Sequence, residues 1–209
     1  MTKTVGLDMA TKSTGWAFFN GEKLEEYGIL KANEDYIYSR LLTMKSQIRD
    51  VLELHKPDVV VMEEVPISDK GNLDVGKSLC ILQGLVIGVC DDLGISFKTI
   101  SPSVWREKMK IHRTLYTCSK CGATFEGKSG AKKLECKECD NTSFRQFKKT
   151  QMNKREELKE RAVNMVNDMF GLSFVFKKNS KKSDDDVCES ILIALSEIQN
   201  LGDENGDLQ

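Results

Sequence analysis

The sequence predicts an α/β domain built on a mixed sheet flanked by helices, interrupted by a separate small unit. Three observations carry this expectation. Strand-like runs follow one another at hairpin spacing over the first 31 residues, and helix-period and strand-period segments then alternate as far as residue 109. Between about 112 and 150 the apolar periodicity stops, and two Cys-x2-Cys pairs stand in its place.

Each element has its own reason. TVGLD at 4–8 is a short apolar run closing on an acid, GWAFFN reads as a second strand, and residues 23–31 read as a third. Tyr38, Leu41, Leu42, Met44, Ile48, Val51 and Leu52 recur at largely helical spacing within 34–55, and Pro57 ends that segment. DVVVMEE, 58–64, is a β-branched run typical of a strand buried on both faces. GKSLCILQGLVIGVCDDLG predicts an apolar helix, ISFKTI a strand, and SPSVWREKM a short helix started by Ser101 or Ser103. Helix resumes at 152–170, with Leu158, Ala162, Val163, Met165, Val166 and Met169 facing the core. After the linker-like FKKNSKKS, the last helix carries Val187, Cys188, Ile191, Leu192, Leu195 and Ile198 as its apolar stripe. The expected organisation is a main domain of 1–111 and 151–200, an insertion at 112–150, and a disordered acidic tail at 201–209.

At 209 residues the chain suffices for one core plus an appendage. No apolar run approaches the roughly 20 residues of a membrane span, and MTKTVGLDMA lacks the layout of a signal peptide. A reducing, cytoplasmic location without a membrane partner is the expectation, so the 7 cysteines need a reason other than disulfides. Cys80, Cys90 and Cys188 fall in apolar helical stretches and read as small buried hydrophobes.

Cys118, Cys121, Cys136 and Cys139 form two knuckles, each aiming two thiolates at one point. Together they offer a tetrahedral shell suited to zinc, and a Lys-rich segment with no core of its own needs such a metal to fold. A closed four-thiolate shell leaves no place for water, so this zinc is read as structural. Phe125 and Phe144, each shortly after a second cysteine, are the expected apolar floor of the ribbon.

The net charge of −1 averages two opposed parts. Residues 103–182 hold 20 Lys or Arg against 9 Asp or Glu, and the remainder holds 11 against 23. Lys132, Lys133, Lys148, Lys149, Lys154 and Arg155 in this basic block are candidate DNA contacts; an ordinary solvated surface stays open as the other reading.

Asp8 closes the first strand and Glu63 and Glu64 close the buried one, the strand ends at which sites form in open α/β sheets. KKSDDDVCES, 181–190, adds a further run of acids. Ser183 suits an N-cap, and acids in a first turn complement the helix dipole. At about 100° per residue, Glu189 lies between Asp185 and Asp186 in angle, beside the apolar stripe. Carboxylates gathered this closely repel one another unless a divalent cation neutralises them.

GLDMATKSTGWAFF resembles the first motif of the RuvC-type Holliday-junction resolvases, and VVVMEEV is similar to their second, an apolar strand ending in Glu63. SPSVWREKM resembles the segment that leads towards DNA-contacting residues, particularly in phage members. DDDVCESILIAL resembles the terminal motif, mapping to Asp186 and Glu189. Met9-Ala10 in place of a commoner Pro-Gly, Glu189 in place of a frequent Asp, and the zinc insertion are departures. The resemblance implies a ribonuclease H-like fold, a homodimer, and Mg2+-dependent paired nicking of four-way DNA junctions inside the cell, a host cell if the chain is phage-encoded. It also implies two Mg2+ ions, for which Mn2+ substitutes, held by the catalytic residues Asp8, Glu63, Asp186 and Glu189. Asp185 is then a further ligand or only a neighbour, and Lys159 matches a basic position suited to a phosphate.

Rival expectations follow from the same residues. The first motif also resembles the phosphate loop of sugar kinases and actin-like ATPases, but the chain holds no Gly-Gly pair for their second loop. A branched-DNA or flap nuclease of the same fold, and a non-catalytic zinc-ribbon DNA-binding adaptor, are the nearer alternatives.

Overall fold

In a computed structural model that describes residues 1–65, 73–111, 114–127, 133–151, 155–178, 180 and 183–204, five strands share one sheet. These are β1 (Lys3–Asp8), β2 (Ser13–Asn20), β3 (Lys23–Lys31), β4 (Val59–Glu63) and β5 (Ser96–Ile100), in the order β3-β2-β1-β4-β5. β1 pairs antiparallel with β2 and parallel with β4, so the sheet is mixed, as the hairpin spacing and the later alternation imply. Helices α1 (Ile37–His55) and α2 (Leu73–Leu93) cover one face; α3 (Pro102–Lys108), α4 (Arg155–Phe170) and α5 (Asp185–Glu204) occupy the other side.

The two-residue period of the strands decides what faces which layer. Val5, Leu7, Trp16, Phe18, Val60 and Met62 pack with α1 and α2, while Ala17, Phe19, Val59 and Val61 pack with α5 and its neighbours. Asp8 and Glu63 continue the α5-facing series, in step with Gly6 and with Val59 and Val61. Glycine at two positions lets α5 lie close. A Cβ on Gly6 would sit 2.3 Å from the Ser190 carbonyl oxygen, and one on Gly15 only 2.0 Å from that of Asp186. The expected stripe of α5 is buried in full, and Ile193 and Ala194 join it, because α5 lies between the sheet and α4.

Several expectations are corrected. Tyr38 and Leu42 on α1 and Met169 on α4 are exposed, since each helix turns only one side to a core. Cys80 is exposed on α2, whereas Cys90 and Cys188 are buried. The same helix contains a window of mean hydropathy 1.6, long and apolar enough to cross a membrane by composition, contrary to the expectation that no run approaches that length. It lies across the sheet instead, burying Leu82, Val86, Val89 and Cys90 and leaving its outer side open. Residues 201–204 of the expected tail continue α5, and 205–209 lie outside the described residues. His55 at the end of α1 stacks on Phe18 with ring centroids 4.4 Å apart; His112 lies outside the described residues.

The segment between α3 and α4 is less irregular than its composition suggests. β6 (Thr114–Cys118), β7 (Thr124–Gly127) and β8 (Phe147–Gln151) make a second, three-stranded antiparallel sheet in the order β7-β6-β8. Its apolar contacts come from Tyr116, Phe125 and Phe147: Phe125 stacks on Tyr116 at 6.2 Å and meets Phe147 edge-on at 5.6 Å. Phe125 was an expected member of this floor; the side chain of Phe144 lies outside the described residues.

Candidate active site

The parallel pairing of β1 with β4 brings the strand ends carrying Asp8 and Glu63 to one rim, and the start of α5 lies over it. Asp8 stands opposite Gly15 in the β1–β2 register, the same Gly15 that the Asp186 carbonyl touches, so strand and helix acids converge here. Asp185 and Glu189 are buried on α5, and the Asp186 carboxylate accepts from the Ser13 hydroxyl at 3.1 Å.

Two basic side chains enter the group. The Arg106 guanidinium on α3 lies 3.0 Å from Glu189 Oε1 and 3.7 Å from Glu63 Oε2. Lys159 Nζ on α4 donates to Asp185 and lies 3.5 Å from Asp186 Oδ1 and 3.9 Å from Glu189 Oε2. Glu63 Oε2 also accepts from the Trp105 indole N–H at 2.6 Å. Lys159 and Asp185, the further candidates read from the sequence, lie at this rim. Arg106 and Trp105 were missed as members; the signals available were their place within six residues of the end of β5 and within SPSVWREKM, the segment with a family resemblance.

The electrostatics of the group is lopsided. Burial, then the charges of Glu189, Glu63 and Asp186, pushes the Asp8 carboxyl well above the usual carboxylate range, with Lys159 opposing. Burial likewise raises Glu189, which Arg106 and Lys159 only partly offset. Burial also acts to raise Asp185, but the hydrogen bonds from Lys159 and Ser183 outweigh it and leave this carboxyl lowered. Burial acts to lower Lys159, yet its bond to Asp185 and the charge of Glu189 hold it above its ordinary value. Oxygen donors that repel one another in a partly dehydrated cluster fit a hard divalent cation.

The start of α5 differs in detail from the expected Ser183 cap. The helix begins at Asp185, so Asp184 holds the cap position, and its carbonyl accepts from the Cys188 N–H at 3.1 Å. The Asp184 carboxylate instead accepts from the Val175 N–H at 2.9 Å and the Ser183 hydroxyl from the Lys177 N–H at 3.3 Å. Both side chains accept from backbone N–H groups of the irregular 175–177 segment beside them.

Among the described residues, the four cysteines bring their ligand atoms together, all within 4.8 Å of one another. The Sγ atoms of Cys118 and Cys139 are 3.7 Å apart and those of Cys121 and Cys136 3.5 Å. A tetrahedral zinc with bonds of about 2.3 Å would space its sulfurs about 3.8 Å apart, so the set fits a zinc ribbon. The Asn141 side-chain amide donates to Cys118 Sγ at 3.5 Å. Burial acts to raise the Cys118 thiol, but this donor and backbone N–H groups bring it down to about 6, a bias towards thiolate. Lys133, Lys148, Lys149 and Arg155 are exposed; Lys132 and Lys154 lie outside the described residues.

A mixed sheet of this order, with carboxylates from two parallel strands and a helix meeting at one rim, defines a ribonuclease H-like domain. Over part of its length the chain is similar in sequence to RuvC. It is 33% identical over 88 residues to the crossover junction endodeoxyribonuclease RuvC of Dictyoglomus thermophilum, an alignment covering 40% of this chain and 54% of that protein. The chain thus spans about half the length of the curated relative it matches. No family model matches. Among solved structures, Thermus thermophilus RuvC in complex with a Holliday junction substrate superposes with a TM-score of 0.61 at 13% identity, over 97% of this chain and 96% of that one. The yeast mitochondrial Holliday junction resolvase Ydc2 gives 0.54 at 13% identity, over 99% and 81%. These likenesses show the shared fold.

Proposed function

We propose that this chain is a Mg2+-dependent endodeoxyribonuclease that resolves four-way DNA junctions by paired nicks. The observation that carries the reading is the convergence of Asp8, Glu63, Asp186 and Glu189 at one rim beside Arg106 and Lys159, on a fold shared with RuvC. In this reading those four carboxylates hold two Mg2+ ions, and Mn2+ substitutes. When bound, such ions supply an activated water for in-line attack on a phosphodiester and stabilise the leaving 3′ oxygen. The chain's own residues do the rest. Arg106 and Lys159 offer charged N–H donors to phosphate oxygens at the rim, and Asp185 holds Lys159 in place rather than serving as a ligand.

The ribbon, 112–150, is an inserted unit whose four cysteines hold a structural zinc. Lys133, Lys148 and Lys149 on it, and Arg155 at the start of α4, are proposed phosphate contacts, with Lys132 and Lys154 as neighbours in sequence. The active form is a homodimer, and α2 supports it. Leu73, Val75, Cys80 and Ile81 are exposed there, and added Cβ atoms at Gly76, Gly84 and Gly88 would meet nothing within 4 Å. A helix of this composition suits close contact with a second copy, and two rims facing opposite strands suit paired nicking. A cell interior, with no membrane partner, is the proposed location.

The test is cleavage of four-way junction, flap and linear duplex DNA side by side with Mg2+. Symmetrical nicking of the junction, abolished by Asp8→Asn, is the expected result. Preference for flaps points to a branched-DNA nuclease without junction symmetry. Binding without cleavage by the unaltered protein points to an adaptor and overturns the catalytic reading.

A further inference from the structure

We propose that Trp105 is a positioning residue for the cation site, acting through Glu63; the inference rests on the metal-dependent nuclease reading above. The chain places it there by register. Ile100 pairs with Glu63 across β5 and β4, Ser101 caps α3 with Pro102 at the first position, and Trp105 follows one turn later. Its ring is fully buried among Ile100, Met109 and Ile111, in the core beneath α5.

A buried indole has one polar atom to satisfy. Here the N–H is aimed out of the core at Glu63 Oε2, at 2.6 Å, towards the rim where Asp8 and Glu189 gather. The other group close to that oxygen is the Arg106 guanidinium, 3.7 Å away and itself seated over the Trp105 ring at 4.8 Å from its centroid. The two donors differ in consequence. Arg106 neutralises carboxylate charge and competes with a cation for it. The indole fixes the orientation of Glu63 while leaving its full negative charge available. A neutral donor from a rigid, buried ring therefore holds a ligand ready whether or not the cation is present.

Trp105→Phe isolates this role, because it removes the N–H and keeps an aromatic face under Arg106. Mn2+ binding by calorimetry is expected to weaken roughly 10-fold or more, the usual scale for losing a partner of a metal ligand. The Mg2+ concentration for half-maximal cleavage should rise in parallel, with the rate at saturating Mg2+ changed less than about threefold. A general loss of packing would not produce that split. The cycle with Glu63→Gln makes the link specific: once Glu63 is no longer a carboxylate, Trp105→Phe should weaken Mn2+ binding by less than about twofold further. Unchanged Mn2+ binding in Trp105→Phe, or equal weakening in both backgrounds, overturns the positioning role. Absence of Mn2+ binding by the unaltered protein overturns the metal-site reading and this inference with it.

Discussion

Gly15→Ala tests the packing that places the α5 acids over the strand acids. A Cβ built on Gly15 lies 2.0 Å from the Asp186 carbonyl oxygen, 2.4 Å from its carbon and 2.9 Å from the Val187 nitrogen. Ordinary contact begins at 3.4 Å, so the start of α5 must retreat by about 1.4 Å. The obstacle is backbone, and a side-chain rotation cannot relieve it. The retreat falls opposite Asp8, Gly15's partner in register, and therefore widens the gap between Asp8 and Asp186. A misplacement of about 1 Å at a reacting centre costs on the order of 100-fold in rate, and overpacking of this kind costs about 1–3 kcal/mol. Junction cleavage at saturating Mg2+ should fall at least 100-fold while far-UV circular dichroism stays that of a folded α/β protein. The melting temperature should drop by several degrees, at about 2–4 °C per kcal/mol for a chain of this size. Folded Gly15→Ala protein that cleaves within about threefold of the parent would show that cleavage does not depend on this close approach of α5 to β2.

Three further outcomes follow. Asp8 and Glu189 keep their protons to higher pH in the folded state than in the unfolded chain, so the stability these two groups contribute without cations is fully present in acid and declines as pH rises through their elevated range. Thermal melts should show Mg2+ stabilising the protein more at pH 8 than at pH 5, and Asp8→Asn should melt higher than the parent without Mg2+ at neutral pH and lose most of the Mg2+ response. Elemental analysis should find one zinc per chain, and Cys136→Ser should lose it together with protease resistance between 114 and 151, leaving the five-stranded sheet folded. Gly88→Arg on the open side of α2 should convert a dimer to a monomer by light scattering, while mild oxidation should join chains through Cys80, the exposed cysteine of that helix.

The strands and the cluster of four cysteines were legible because short-range rules govern them. Period-two burial fixes β1 and β4, and Cys-x2-Cys spacing fixes a knuckle whatever surrounds it. Asp8, Glu63, Asp186 and Glu189 were legible as candidates because each ends a strand or starts a helix, and the register brings those ends together. Trp105 and Arg106 were not, since nothing within α3 says that its side faces Glu63 and Glu189; that follows from the pairing of β5 with β4, a contact between residues some 40 positions apart. Tyr38, Leu42 and Met169 failed for the complementary reason. Helical period marks a stripe as apolar without saying how much of its width a neighbour covers.

Charge balance ties the unexpected residues to the proposed chemistry. The rim gathers the carboxylates of Asp8, Glu63, Asp185, Asp186 and Glu189 against the two cations Arg106 and Lys159. Fully ionised, that set carries three negative charges more than positive ones, and the protein resists this by raising Asp8 and Glu189. Two divalent cations alone would overshoot to a net positive charge of one, and a single phosphodiester would cancel it. A rim with four ligand acids and no Arg106 or Lys159 would reach neutrality with two cations and hold no surplus for the substrate. In the proposed chemistry the basic pair therefore serves the DNA as much as the acids, and the Asp185 carboxylate, by holding Lys159, keeps that surplus to one charge. Asp185→Asn should accordingly leave Mn2+ affinity within about threefold, because no proposed ligand is lost, while raising the KM for junction DNA as Lys159 loses its anchor. Loss of Mn2+ binding in that variant would instead make Asp185 a ligand of the cation site.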